Sequence, residues 1–79
     1  MPVFKATGVT VHRVKELRGG HLQMEVSQAG SPVFSAIAFG LRKSKSLLGP
    51  SKKVSIVFEP SWNYFNNKKT MQLCIKAIE

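Results

Sequence analysis

The residues in this chain that are equipped for chemistry are cations and aromatic rings. Arg13, Lys15 and Arg18 lead to His21, Arg42, Lys43 and Lys45 form a second group, and Trp62, Tyr64 and Phe65 run into Lys68 and Lys69. Lysine and arginine draw in phosphate, and aromatic faces stack on unpaired bases, so this mixture suits a single-stranded nucleic acid. Catalysis has little to work with. Aspartate is absent and the only carboxylate side chains, Glu16, Glu25, Glu59 and Glu79, are widely spaced, whereas two-metal hydrolysis needs several converging on one site. His12 and His21 have no acidic or thiol neighbour in sequence. Cys74, the single cysteine, gives neither an internal disulfide nor a metal-ligand spacing. No catalytic residue, metal site or cofactor is expected in this chain.

The charge balance points the same way. Twelve Lys and Arg face four Glu in 79 residues, a formal net charge of +8, which attracts polyanions. A length of 79 residues allows one domain, residues 1–79, with a small core. No apolar run approaches the roughly 18 residues that span a bilayer, and the N-terminal residues lack a signal-peptide core. No membrane partner is expected, and the expected compartment is the cytoplasm.

The elements that must position these side chains read as strands broken by turns. Residues 3–17 form one long extended segment in which Phe4 and Ala6 occupy one alternation phase and Val9 and Val11 the other. The phase switches at Gly8, so the strand is expected to bend or bulge there. Gly19-Gly20 turns the chain, and Leu22, Met24 and Val26 alternate with polar residues. After a turn at 29–32, the stretch from Val33 to Phe39 is apolar in both phases and is expected to be covered on both faces, with Phe39 in the core. Residues 41–48 suit a short helix stopped by Gly49-Pro50. Val54, Ile56 and Phe58 then point inward until Pro60 breaks the strand. Residues 61–69 read as a loop, and a last strand places Met71, Leu73, Ile75 and Ala77 inward. The expected fold is all-β, a five-stranded OB-type Greek-key barrel with one short helix between the third and fourth strands.

OB barrels bind ligands across the second and third strands, flanked by the first hairpin loop and the loop joining the last two strands. Arg13, Lys15 and Arg18 belong to the first of these regions, and Tyr64, Phe65, Lys68 and Lys69 to the second. Each also has a plainer reading. Trp62 or Phe65 would serve equally as a plug for the barrel mouth, leaving Tyr64, expected to point opposite to both, as the stacking ring. Lys68 and Lys69 beside Asn66-Asn67 would also make a solvated turn, and Arg42, Lys43 and Lys45 an exposed helix face. His12 and His21 read as surface residues, Met24 and Met71 as core fillers, and Cys74 as partly exposed.

Several stretches together resemble the OB domain of the bacterial single-strand-specific exonuclease RecJ. Ala36-Ile37-Ala38-Phe39-Gly40 is similar to its third strand, and Gln72-Leu73-Cys74-Ile75-Lys76-Ala77-Ile78 to its closing strand. Phe58-Glu59-Pro60, then Asn63 and Phe65-Asn66-Asn67, resemble its loop between the last two strands. Arg13-Val14-Lys15 with His21-Leu22 resembles its opening motif. Phe65 stands where that family usually has Trp, Asn67 where it has Gly, and Ala77 where it has Asp. The resemblance implies a fragment of a larger 5′-to-3′ exonuclease of recombination and repair, with Met1 not its natural beginning. It also implies a catalytic core elsewhere that uses Mn²⁺ or Mg²⁺, and a barrel that helps grip single-stranded DNA. Two other roles compete with that one. One is a docking barrel that receives the acidic tail of a single-strand-binding protein, and the other is an RNA-binding barrel.

Overall fold

The computed structural model describes residues 2–49 and 52–79, with the side chain of Phe65 left out. Pro50, expected to help stop the helix, lies outside the described residues. Five strands close into a barrel: β1 (Phe4–Leu17), β2 (His21–Ser27), β3 (Phe34–Ala38), β4 (Lys53–Phe65) and β5 (Lys68–Ile78). A six-residue 3-10 helix, Arg42–Leu47, connects β3 to β4. Around the barrel the order is β1-β2-β3-β5-β4, with β4 returning to β1. The β3–β5 pair is parallel and the other pairs are antiparallel. This is the OB arrangement, and closure leaves the barrel body without the open edges on which strands aggregate.

Closure depends on the bend in β1. Its first half pairs with β4 and its second half with β2, and the β4 register shifts between Ala6 and Val9. Gly8 lies in that shift at φ 63°, a left-handed conformation that glycine adopts without steric cost. A second shift, between Val11 and Arg13, was not foreseen; it turns Val14 toward the core after Val9 and Val11. One strand thereby serves two sheet surfaces.

The interior is filled by pairing small residues with large ones. Ala36 and Ala38 of β3 are fully buried, and their cross-strand neighbours are Met24 and Leu22 on β2 and Leu73 and Ile75 on β5. Burying a side chain such as Leu22 or Ile75 stabilises the fold by about 1.5–3 kcal/mol. Leu41 and Leu48, flanking the helix, pack against the same core. Val33 and Phe39 behave otherwise. They lie beyond the ends of β3, and both are more than half exposed. The apolar run is therefore longer than the strand it contains, and Phe39 is not a core residue.

The sequence reading also fails at Pro60, where β4 does not stop. The β1 pairing ends at Phe4↔Phe58, so from Glu59 onward β5 is the only neighbour of β4 among the described residues. A proline is tolerated there because no strand waits on its other side for an N–H. Beyond the last β3 pairing, at Gln72, residues 62–65 and 68–71 form a two-stranded arm, not a loop, closed by Asn66-Asn67 at φ 51° and 62°. Two successive left-handed residues are the geometry of a two-residue hairpin turn, and asparagine tolerates it. A register shift between Val57 and Phe58 leaves Lys76 of β5 unpaired opposite β4. That extra residue reverses the phase, so Ile78 is buried in place of the expected Ala77. Met71, expected inward, is 38% exposed because it lies on the arm beyond the barrel.

Candidate nucleic-acid interface

Three surfaces carry the residues singled out by type and spacing. The first is the outer face of β1, β2 and β3. Leu22, Met24 and Val26 face the core, so Gln23 and Glu25 face out, and cross-strand register aligns Arg13 with Glu25 and Lys15 with Gln23. Continuing across β3 and β5, Arg13, Glu25, Ser35, Gln72 and Ser61 form one outward row. At the usual spacing between strands this row covers about 19 Å. Arg13, Lys15, Gln23, Glu25 and Ser35, together with Val14 and Met24, line an open groove at its β1 end. Arg13 Nε lies 3.4 Å from Glu25 Oε1 with both side chains exposed, an ion pair worth little in water and readily exchanged for a phosphate.

The second surface is the end of the barrel where the β1–β2 turn meets the short helix. Arg18 is exposed in that turn, and Lys43 is exposed on the helix. Arg42 and Lys45 reach back to Glu16 of β1 at 3.9 and 3.7 Å. Two hydrogen bonds tie the turns together: Arg42 N–H donates to Gly20 O (3.1 Å), and Gly40 N–H donates to His21 Nδ1 (2.8 Å). His21, read from sequence as a surface residue, is half-buried and structural on one edge. His12 is exposed, with Nε2 2.7 Å from Ser27 Oγ.

The third surface is the arm. Leu73 is buried, so its cross-strand partner Pro60 and the next inner pairs, Trp62↔Met71 and Tyr64↔Lys69, share one face. Trp62 and Tyr64 thus point the same way, contrary to the expectation that Tyr64 opposes Trp62. Trp62 is 54% and Tyr64 69% exposed, so neither plugs the barrel. Lys69 Nζ stands 4.3 Å from the Trp62 ring centre and 6.0 Å from that of Tyr64, a cation held against two π-faces. Lys68 is exposed on the opposite face of the arm, with Thr70. The side chain of Phe65, expected as a ring contact, lies outside the described residues. Below the arm's ring face, Met71, Phe34, Phe58 and Ala6 line an apolar mouth of the barrel.

The expected residues are therefore divided, because β1 separates them. Its start, Phe4, pairs at the root of the arm, and its end, Leu17, leads into the turn beside the helix. Arg13, Lys15, Arg18, Arg42, Lys43 and Lys45 belong to the groove and the turn end, whereas Tyr64, Lys68 and Lys69 belong to the arm. Trp62 belongs with Tyr64, and alternation carried through Pro60 is the signal that would have paired them. Among the described residues no three His, Cys, Asp or Glu side chains gather to hold a metal ion. No buried side-chain nitrogen or oxygen among them lacks a hydrogen-bond partner.

Compared with known proteins, residues 1–77 match the family model described as the RecJ OB domain. No protein with a curated description matches the chain.

Proposed function

The chain belongs to the RecJ OB domain family, and we propose that it is the single-stranded-DNA-binding module of a RecJ-like 5′-to-3′ exonuclease, gripping the strand for a catalytic core that lies elsewhere. One observation carries this reading. Trp62 and Tyr64 are held out of the core on a two-stranded arm, with Lys69 against both rings, in a molecule of net charge +8. An exposed tryptophan on the arm offers a base a stacking face worth about 1–3 kcal/mol. Arg13 and Lys15 on the outer groove supply phosphate contacts that hold the backbone without reading sequence. The module's work is to bind and orient. The chemistry of cutting, and any Mn²⁺ or Mg²⁺ it needs, belongs to the parent enzyme.

Trp62 is the only tryptophan, so its fluorescence reports directly on the arm. Titrating oligo-dT into the protein at low salt is expected to quench that emission saturably. The affinity should fall with salt at a log–log slope of about −0.7 per phosphate neutralised. Duplex DNA and an RNA oligonucleotide serve as the competing arms. Equal binding of duplex and single strand, or preference for RNA, would overturn the assignment to single-stranded DNA.

A further inference from the structure

Beside the ring face of the arm runs the outer edge of β4. The β1–β4 ladder ends at Phe4↔Phe58, and from Glu59 to Phe65 that edge has no neighbour among the described residues. The two-residue turn at Asn66-Asn67 makes Phe65↔Lys68 the hydrogen-bonded pair that closes it. Hydrogen-bonded and non-hydrogen-bonded pairs alternate along an antiparallel ladder. Ser61 and Asn63 therefore bond to β5, and Pro60, Trp62 and Tyr64 turn their main-chain groups to the open edge. The Thr70 hydroxyl, which donates to Asn63 O at 3.5 Å, agrees with that carbonyl facing β5. We propose that a second copy of this chain pairs with the open edge, antiparallel and about a two-fold axis at Asn63, joining two arms into one four-stranded sheet.

Three properties of the edge select this occupant. The chain's own β1 cannot extend along it: continuing the register past Phe4 would set Pro2 opposite Pro60, and neither has an N–H to give. The edge is also free of charge. Ser61 to Phe65 contains no Lys, Arg, Asp or Glu in a molecule of net charge +8, whereas the opposite edge of the arm carries Lys68 and Lys69. Lysines along an edge keep copies apart, which disfavours pairing on that side. Finally, the β4 edge is self-complementary. A two-fold axis at Asn63 sets Trp62 opposite the second copy's Tyr64, and Tyr64 opposite its Trp62. All four residues face the edge, so each pair exchanges two main-chain hydrogen bonds. The four rings then lie on one face as cross-strand aromatic pairs. On the other face the two Asn63 side chains meet, each amide able to donate to and accept from its copy. Pro60 ends the ladder beyond. The contact is smaller than the roughly 1,200 Å² of a stable complex, so the association is weak and depends on concentration. It uses the edge of the arm and leaves the ring face open, and it stands independently of the single-stranded-DNA reading.

Sedimentation of the unmodified protein without nucleic acid, at concentrations up to about 1 mM, is expected to show a monomer–dimer equilibrium. Asn63→Lys and Asn63→Glu each set like charges across the axis, so each variant alone should stay monomeric. An equimolar mixture of the two should associate again, which only a contact centred on residue 63 predicts. Hydrogen exchange locates the contact in the unmodified protein. Only unpaired chains exchange freely at the edge, so the Trp62 and Tyr64 amides should slow about threefold when about two-thirds of the chains are paired. A monomer at every concentration, or association that Asn63→Lys leaves unchanged, overturns the proposal. If a variant unfolds, the exchange data decide alone, and edge amides that do not slow with concentration overturn it. Oligo-dT binding is measured on dilute monomer, so neither failure touches the DNA reading.

Discussion

The body of the barrel and its arm are made of the same two strands, β4 and β5, yet they treat large side chains in opposite ways. In the body, Ile56 and Ile75 are almost wholly buried, and every strand has a neighbour on each side. A few residues further along, Trp62 and Tyr64 occupy the same continuous strand and are left mostly in water. A two-stranded hairpin is marginal on its own in water, so the arm depends on the body for its existence. The body, by contrast, gains little from the arm's rings. Under the proposed function, these exposed rings are the place kept for the strand.

That contrast can be broken or sharpened by substitution. The largest effect is expected in the body. Leu22→Ala, at a fully buried position, should cost about 2–5 kcal/mol. For a domain of this size that lowers the melting temperature by roughly 10 °C or more, measurable by circular dichroism. Trp62→Ala should do the reverse: a loss of about 1–3 kcal/mol in oligo-dT affinity, with melting nearly unchanged. A sharp fall in melting temperature together with unchanged affinity would show the ring to be structural. Asn67→Val tests the hinge between the two regions. A β-branched residue at φ 62° is expected to cost the arm about 1–2 kcal/mol, disordering the hairpin and weakening binding while the body's amide spectrum stays in place. The smallest effect belongs to charge. Lys69→Met removes one cation and should flatten the salt dependence of binding by about 0.7 log unit, with only a modest change in affinity at low salt.

How far the sequence reveals this molecule depends on what sets each feature. Strict alternation at Leu22, Met24 and Val26, the glycine at the phase switch of β1 and the positions of the turns were legible because they are local. The order of three strands, a short helix and two strands then points to the barrel. Pro60 misled for an equally physical reason. Proline forbids a central strand but not an edge, and only the tertiary pairing reveals that β4 has lost one neighbour by that point. The same misreading hid the arm and set Tyr64 against Trp62. Lys76 was illegible because a single bulged residue reverses every later position. Phe39 followed from taking an apolar run to be all strand, whereas β3 ends at Ala38 and the ring turns out beside His21. The basic residues were found by type. Their division between two ends of the molecule is a consequence of the path of β1, which composition does not carry.

Under the proposed function, the two ends of this barrel and the groove between them form one path for a flexible polyanion. Amide chemical-shift mapping with oligo-dT tests it directly. Changes are predicted along Arg13–Lys15 and Gln23–Glu25, at Phe39–Lys43, and on the arm from Trp62 to Met71, with the β1–β4 seam around Ala6 and Val57 silent. Shifts concentrated on that seam, or spread evenly over the surface, would contradict it.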